Sequence, residues 1–173
     1  GGDSVGNLLA GYDSTLPVTL EQMVYHARAT RAGVKRALLF VDMPFLTYQV
    51  SPQRALLNCG RVMAEGGADG VKLEGASDSV LAAVRAVVDA GIPVMGHLGF
   101  TPQSVNTLGG ARVQARDAAG AKKIVDDAKR LEDAGAFSIV LELLPAKVAA
   151  RVTEAVRIPT IGIGAGAACS GQV

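Results

Sequence analysis

Four carboxylate residues stand where an apolar, strand-like run ends and a turn begins: Asp3, Asp42, Glu74 and Glu142. In a barrel of parallel strands the carboxyl ends of the strands converge on one mouth, so residues far apart in sequence can meet around one substrate or metal ion. Each carboxylate alone means little, because Asp is an ordinary turn residue. Their recurrence at strand ends predicts a shared active site.

The first three carboxylates are candidate ligands of a divalent cation. One or two carboxylates, completed by waters and substrate oxygens, are enough to bind Mg²⁺. Lys72 lies two residues before Glu74 on the same predicted strand, so both side chains point to one face. A buried lysine is costly unless it is paired with an anion. Lys72 is therefore predicted to bind a substrate carboxylate, with a purely structural pairing to Glu74 as the alternative.

Two further residues have the chemistry of proton transfer or hydrogen bonding. Glu142 follows the mostly apolar run 137–141, and apolar surroundings make a carboxylate bind a proton more readily, which suits a general base. The alternative is a glutamate that merely begins a helix. His97, in Gly96-His97-Leu98-Gly99, either hydrogen-bonds a substrate or satisfies a loop carbonyl.

Helices and strands alternate along the chain with short connections. We predict helices over 19–32, 52–65, 77–90, 117–134 and 146–156, and strands over 36–41, 70–74, 92–97, 136–142 and 159–163, with a strand stub before Asp3. Near-continuous apolar strands joined by helices indicate a parallel sheet covered by helices. A doubly wound sheet would carry GxGxxG after its first strand, whereas this chain has only Gly162-Ile163-Gly164-Ala165-Gly166 near its end. Polar residues at the strand ends favour a (β/α)8 TIM barrel.

The length predicts that this barrel is incomplete. A complete (β/α)8 barrel takes about 250 residues, and the chain has 173. We expect a single partial barrel domain over residues 1–173, with about strands 2–7 present and the first and last units absent. The chain has no initiator Met, and we interpret it as an internal fragment. Because an open barrel exposes unpaired strand edges, we expect the fragment to be inactive by itself.

Composition excludes several functions. Seventeen basic and sixteen acidic residues give a net charge of +1 without a Lys/Arg cluster, so neither a nucleic-acid partner nor an anionic-membrane partner is expected. No run approaches the roughly 18 apolar residues of a membrane-spanning helix. Cys59 and Cys169 lack zinc-site or disulfide-framework spacing. A reduced, cytoplasmic setting is therefore expected, unless a targeting segment precedes the chain.

Longer motifs resemble those of ketopantoate hydroxymethyltransferase (3-methyl-2-oxobutanoate hydroxymethyltransferase), in family order across essentially the whole chain. They are Gly2-Asp3-Ser4-Val5-Gly6, Gly11-Tyr12-Asp13-Ser14-Thr15-Leu16-Pro17-Val18-Thr19, Asp42-Met43-Pro44-Phe45, Val71-Lys72-Leu73-Glu74-Gly75, Gly96-His97-Leu98-Gly99-Phe100-Thr101-Pro102-Gln103-Ser104 and Gly162-Ile163-Gly164-Ala165-Gly166. The resemblance implies a (β/α)8 enzyme of pantothenate and coenzyme A biosynthesis. Such enzymes transfer a one-carbon unit from 5,10-methylenetetrahydrofolate to 3-methyl-2-oxobutanoate, giving 2-dehydropantoate through a Mg²⁺-stabilised enolate.

The resemblance also implies a role for each site residue. It assigns Mg²⁺ to Asp3, Asp42 and Glu74, and the keto acid to Asp3, Ser4, Asp42 and Lys72. Glu142 would be the proton acceptor, and His97 a contact of the substrate or the folate. The family forms homo-oligomers, with a decamer as its assembly. Ala115 stands where relatives usually carry glycine.

Two alternatives remain open. A Mg²⁺-dependent keto-acid lyase of the phosphoenolpyruvate mutase and isocitrate lyase type would share the barrel, the metal carboxylates and the keto acid. Such a lyase normally carries a reactive cysteine in a loop between lysine- and glycine-containing neighbours, and no comparable segment is present. The second alternative is a catalytically inert truncated fragment, which the retained set of site residues disfavours.

Overall fold

Six parallel strands form one sheet in the computed structural model, which describes residues 2–173. Gly1, at the start of the domain expected over residues 1–173, lies outside the described residues. The strands are β1 (Phe40–Asp42), β2 (Gly70–Glu74), β3 (Val94–Gly99), β4 (Ser138–Glu142), β5 (Thr160–Ile163) and β6 (Gly171–Gln172). They pair strictly in chain order, each parallel to the next. A doubly wound sheet reverses its order at a switch point, so that alternative is wrong.

Helices occupy the connections between the strands. They are α1 (Val5–Leu8), α2 (Leu20–Gly33), α3 (Pro52–Gly66), α4 (Asp78–Asp89), α5 (Val105–Leu108), α6 (Ala118–Asp133) and α7 (Ala146–Ala155), with a 3₁₀ turn at Pro102–Ser104. Side-chain caps explain why the long helices begin where they do. Thr19 and Gln22 form a reciprocal capping box before α2, and Ser51 caps α3 ahead of Pro52. No helix of residues 2–173 is long and apolar enough to cross a membrane.

The two faces of the sheet carry different side chains. Alternate residues of five strands line one cavity: Phe40 and Asp42, Lys72 and Glu74, Met95 and His97, Val140 and Glu142, Ile161 and Ile163. Residues of opposite parity, such as Val41, Leu73 and Leu141, are fully buried in the core that the strands share with the helices. Side chains of five strands can line one cavity because the sheet curls around it. This confirms an incomplete (β/α)8 barrel, whose edge strands β1 and β6 do not pair with each other in residues 2–173.

The structure differs from the sequence prediction at short elements. Gly2 has no regular structure and Asp3 lies in the turn that enters α1, so the predicted strand stub is not found at Gly2. Four short elements were not predicted: α1, the 3₁₀ turn, α5 and β6. Each has at most four residues, which is too short to show a hydrophobic period.

Ala115 adopts the left-handed backbone conformation, with φ of 52°. This region costs a residue other than glycine roughly 1–2 kcal/mol, whereas glycine adds roughly 0.4–1 kcal/mol of unfolded-chain entropy. We therefore expect Ala115→Gly to raise the free energy of unfolding by roughly 0.5–1 kcal/mol, which urea denaturation measures.

Ala29→Gly is the matched control, because Ala29 is exposed in the middle of α2. In a helix interior the same substitution should lower the free energy of unfolding by about 1 kcal/mol. Equal losses in the two variants would show that Ala115 is not strained.

Candidate active site

All seven side chains that the sequence singles out line one cavity of about 400 Å³ on the concave face of the sheet: Asp3, Ser4, Asp42, Lys72, Glu74, His97 and Glu142. The strand register brings most of them together, since Asp42 pairs with Lys72 and Glu74 pairs with His97 across adjacent strands. Glu142 closes β4 and faces the same cavity. Asp3 and Ser4 enter from the loop before α1, where the Ser4 hydroxyl makes no helix-cap hydrogen bond.

Lys72 is the cation of the cavity. Its Nζ lies 3.2 Å from Asp42 Oδ1 and 3.1 Å from His97 Nδ1. Burial favours the neutral amine, but the charges of Asp42, Glu74 and Asp3 together outweigh burial and raise the pKa of Lys72. Lys72 therefore remains an ammonium group. Two of its three N–H donors have partners at these distances, which leaves one for a substrate oxygen.

His97 lies between Lys72 and two glutamates. The lysine ammonium can only donate, so Nδ1 of His97 accepts and the ring hydrogen is assigned to Nε2. Nε2 lies 3.1 Å from Glu142 Oε2, but the pair lacks the alignment of a hydrogen bond. On the other side, Nδ1 lies 3.5 Å from Glu74 Oε1. The imidazole thus presents its N–H edge towards the candidate base.

Asp3 and Asp42 are neighbouring carboxylates. The backbone N–H of Asp3 donates to Asp42 Oδ2 at 3.2 Å, and Asp3 is only 3% exposed. Burial, followed by the charge of Asp42, raises the pKa of Asp3 to about 6, although a hydrogen bond from Gln103 opposes the rise. The two carboxylates repel each other, and the charge of Lys72 offsets this repulsion only in part.

Two buried residues of this site were missed at the level of sequence: Gln103 and Tyr48. Gln103 Nε2 donates to Asp3 Oδ2 at 2.9 Å, and the Gln103 backbone N–H donates to Glu74 Oε2 at 3.0 Å. The Tyr48 hydroxyl donates to Gln103 Oε1 at 2.8 Å. A polar residue just beyond the end of β3 was the available signal for Gln103, by the same rule that selected the carboxylates. No comparable signal marks Tyr48, which lies in a loop.

The carboxylates fit a hard divalent cation. Glu74 Oε1 is buried without a hydrogen-bond partner in the described part of the chain, and a bound cation would compensate both this oxygen and the repulsion between Asp3 and Asp42. Within residues 2–173 no group of three or more His, Cys, Asp or Glu side chains is placed to hold a metal ion. Mg²⁺ would consequently need water or substrate oxygens, as it commonly does.

The backbone around Glu142 is fixed on both sides. The N–H of Phe100 donates to Glu142 O at 2.8 Å, and the N–H of Leu143 donates to Ile163 O at 2.9 Å. Gly99 has φ of 94°, and a Cβ there would lie 2.1 Å from Glu142 O, so only glycine fits. Leu143 is itself left-handed, with φ of 47°. Such strain is typical of functional sites that the surrounding structure over-determines.

Comparisons with known proteins connect this geometry to a family. The family described as "Ketopantoate hydroxymethyltransferase" matches residues 2–173. The 3-methyl-2-oxobutanoate hydroxymethyltransferase of Carboxydothermus hydrogenoformans is 56% identical over 172 residues, covering 99% of this chain and 62% of the relative. The protein of the same name from Clostridium beijerinckii gives the same identity and coverage. The chain thus spans about three fifths of the length of the curated relatives it matches.

Solved structures show a similar fold. Phosphonopyruvate hydrolase has a TM-score of 0.66 at 13% identity, covering 94% of this chain and 58% of that one. 2,3-Dimethylmalate lyase, a member of the PEP mutase/isocitrate lyase superfamily, has a TM-score of 0.65 at 16% identity, covering 91% and 55%. At these identities the likeness concerns the fold alone.

We predict that ionisation of Asp3 destabilises the metal-free chain. The pKa of Asp3 is about 6 in the folded chain against 3.8 for the ordinary group, so the folded state retains the proton at higher pH than the unfolded state. The stabilisation that the protonated Asp3 carboxyl contributes to the folded state is complete below pH 4 and is lost as the pH rises through 6. The total loss is about 3 kcal/mol, of which about 2 kcal/mol falls between pH 4.5 and 7.5.

Asp3→Asn, which keeps an oxygen for Gln103 Nε2, removes this titration. In urea unfolding with EDTA, the variant should gain stability relative to wild type by that amount between the two pH values. A constant difference between the two proteins would contradict the raised pKa.

Proposed function

Because the chain belongs to the ketopantoate hydroxymethyltransferase family, we propose that it carries the active site of an enzyme of pantothenate and coenzyme A biosynthesis. The enzyme transfers a hydroxymethyl unit from 5,10-methylenetetrahydrofolate to 3-methyl-2-oxobutanoate, giving 2-dehydropantoate. The observation that carries this proposal is the convergence of seven strand-end and loop side chains on one cavity, with Lys72 and Glu142 on either side of His97.

The keto acid binds among Asp3, Ser4, Asp42 and Lys72. The keto acid offers carboxylate and carbonyl oxygens as acceptors. Two donors suit them: the third N–H of Lys72, and the hydroxyl of Ser4, which makes no helix-cap hydrogen bond. Three carboxylates and one ammonium group would repel a monoanionic substrate, which supports the presence of a divalent cation in the working site. Mg²⁺ held by Asp3, Asp42 and Glu74 would polarise the keto acid and acidify its C3 proton.

Glu142 is the proposed proton acceptor. Its carboxylate removes the C3 proton of the keto acid, and the C3 electron pair forms the new carbon–carbon bond to the one-carbon unit. One water molecule replaces both C–N bonds of that unit: its oxygen becomes the new hydroxyl oxygen, and its two hydrogens leave on the nitrogens of tetrahydrofolate. The proton held by Glu142 then passes to the new alkoxide. The side chain is 20% exposed, so it reaches the cavity from a partly buried position. His97 Nε2 lies 3.1 Å from Glu142 Oε2, on the side of the carboxylate that faces the cavity.

The same proposal includes the setting of the enzyme. Its partners are the keto acid and the folate, and it works as a homo-oligomer in the cytoplasm. Exposed apolar side chains on and beside α1 support association, since Leu8 and Leu9 are 79% and 74% exposed.

The lyase alternative is weaker. The lyase-type structures share the fold at 13–16% identity, whereas the hydroxymethyltransferase relatives are 56% identical. Cys59 is fully buried within α3, and burial raises the pKa of its thiol to about 12. Such a thiol is inert, unlike the reactive cysteine of those enzymes.

Glu142→Gln tests the proposed base. We expect the substitution to slow proton removal from C3 about 10²–10⁴-fold, because the amide cannot accept the proton. The assay follows Mg²⁺-dependent deuterium exchange at C3 of 3-methyl-2-oxobutanoate by NMR, and then 2-dehydropantoate formation with 5,10-methylenetetrahydrofolate. The protein is a chimera in which residues 2–173 replace the aligned stretch of the Carboxydothermus relative, so that the barrel is closed.

Glu154→Gln, an exposed change on α7, is the matched control and should leave exchange unchanged. Normal exchange in Glu142→Gln would refute the base assignment, and a chimera inactive in both assays would refute the proposed function. The 173-residue chain alone is expected to be inactive, and turnover comparable with that of the relative would contradict this expectation.

A further inference from the structure

Gln103 touches two of the three carboxylates proposed to hold the cation. Its side chain donates to Asp3 Oδ2 and its backbone N–H donates to Glu74 Oε2. We infer that Gln103 is a positioning residue, which aims Asp3 and Glu74 at a shared divalent cation. The inference rests on the Mg²⁺ site of the proposed function and adds a residue to which neither the motifs nor the strand-end rule assigned a role.

The hydrogen bonds of Glu74, Tyr48 and Gln103 follow one another, so the donor of each one determines the direction of the next. The backbone N–H of Glu74 donates to the Tyr48 hydroxyl at 3.1 Å. The hydroxyl hydrogen of Tyr48 is then free to point at Gln103 Oε1, 2.8 Å away. Because Oε1 accepts there, the amide nitrogen of Gln103 must face the opposite side. Tyr48 thereby fixes which end of the Gln103 amide meets Asp3.

Both hydrogens of the Gln103 amide are used. Nε2 donates to Asp3 Oδ2 at 2.9 Å and to the Met43 carbonyl at 2.8 Å, and Gln103 is only 7% exposed. The Met43 carbonyl comes directly after Asp42, so this bond ties the amide to the end of β1 as well. The 3₁₀ turn Pro102–Ser104 holds the Gln103 backbone. A buried amide with every bond satisfied has one orientation, which it imposes on Asp3.

The arrangement engages one oxygen of each carboxylate and leaves the other available. Glu74 Oε2 accepts from Gln103, whereas Glu74 Oε1 is buried without a hydrogen-bond partner in the described residues. Asp3 Oδ2 accepts from Gln103, and no hydrogen bond within residues 2–173 engages Asp3 Oδ1. Donors that fix one oxygen of a ligating carboxylate orient the other towards a metal.

Gln103→Met tests this inference, because methionine has a similar shape but no amide. The 173-residue chain is titrated with Mn²⁺, the free ion is counted by electron paramagnetic resonance, and Mg²⁺ is then added as competitor. We expect Gln103→Met to weaken Mn²⁺ binding roughly 10–100-fold, the usual effect of losing a group that orients a metal ligand. Tyr48→Phe, which removes a single oxygen atom, should give a smaller loss, because the Gln103 amide stays in place and keeps the longer hydrogen bond from Gln49.

Gln53→Met is the matched control. Gln53 is exposed on α3 and does not line the cavity, so the same substitution leaves the Gln103 amide and both of its donors, Tyr48 and Gln49, in place. This variant should bind Mn²⁺ as wild type does, and thermal unfolding shows whether all three variants are folded. Should Gln103→Met misfold, Tyr48→Phe carries the test.

Three results would overturn the inference. Wild-type Mn²⁺ affinity in Gln103→Met and Tyr48→Phe would leave the proposed function standing and remove the role of Gln103. An equal loss in Gln53→Met would show that the weaker binding is not specific to Gln103. Absence of Mn²⁺ and Mg²⁺ binding by the wild-type chain would remove the cation site of the proposed function as well.

Discussion

The alternation of side chains along the strands is the constraint on which this site depends. In β2, Lys72 and Glu74 face the cavity while Val71 and Leu73 are fully buried against the helices. A shift of one residue would place an ammonium and a carboxylate in the apolar core and expose two core residues. The hydrophobic effect that fixes the packing of Leu73 therefore also fixes the position of Glu74. Burial of the apolar side chains on the convex face therefore determines which side chains face the cavity on the concave face.

Parallel register extends this constraint from one strand to the next. Asp42 pairs with Lys72 and Glu74 pairs with His97, so each charged group meets its partner on the neighbouring strand. The charges do not balance, because Asp3, Asp42 and Glu74 surround one lysine. This excess raises the pKa of Lys72, and it adds to burial, the larger cause, in raising the pKa of Asp3. A site with this imbalance favours a bound cation, and the cation would in turn reduce the repulsion of an anionic substrate.

The sequence allowed prediction of the residues that follow long apolar runs. Glu74 and Glu142 end strands whose hydrophobic residues mark them, so their positions followed from the strand rule alone. Asp3 was predicted as a strand-end residue but lies in a turn, and it reaches the cavity through its contacts with Asp42 and Gln103. Tyr48 could not be predicted, because its role depends on a hydrogen bond to Gln103, 55 residues away. Local sequence patterns indicate which residues are buried and whether a segment has the period of a helix or a strand. Contacts between loops depend instead on how the whole sheet curls.

His97 shows how a charge in contact with one ring nitrogen can determine which edge of the imidazole carries the hydrogen beside the base. The ammonium of Lys72 has no acceptor, so its approach to Nδ1 requires that nitrogen to carry the lone pair. The ring hydrogen then lies on Nε2, on the edge that faces Glu142. Without Lys72 the opposite tautomer would be equally available, and a hydrogen on Nδ1 would turn towards Glu74 Oε1, 3.5 Å away. The lysine therefore organises both halves of the site: its charge compensates the carboxylates, and through the imidazole it determines which glutamate faces a donor and which keeps a free oxygen.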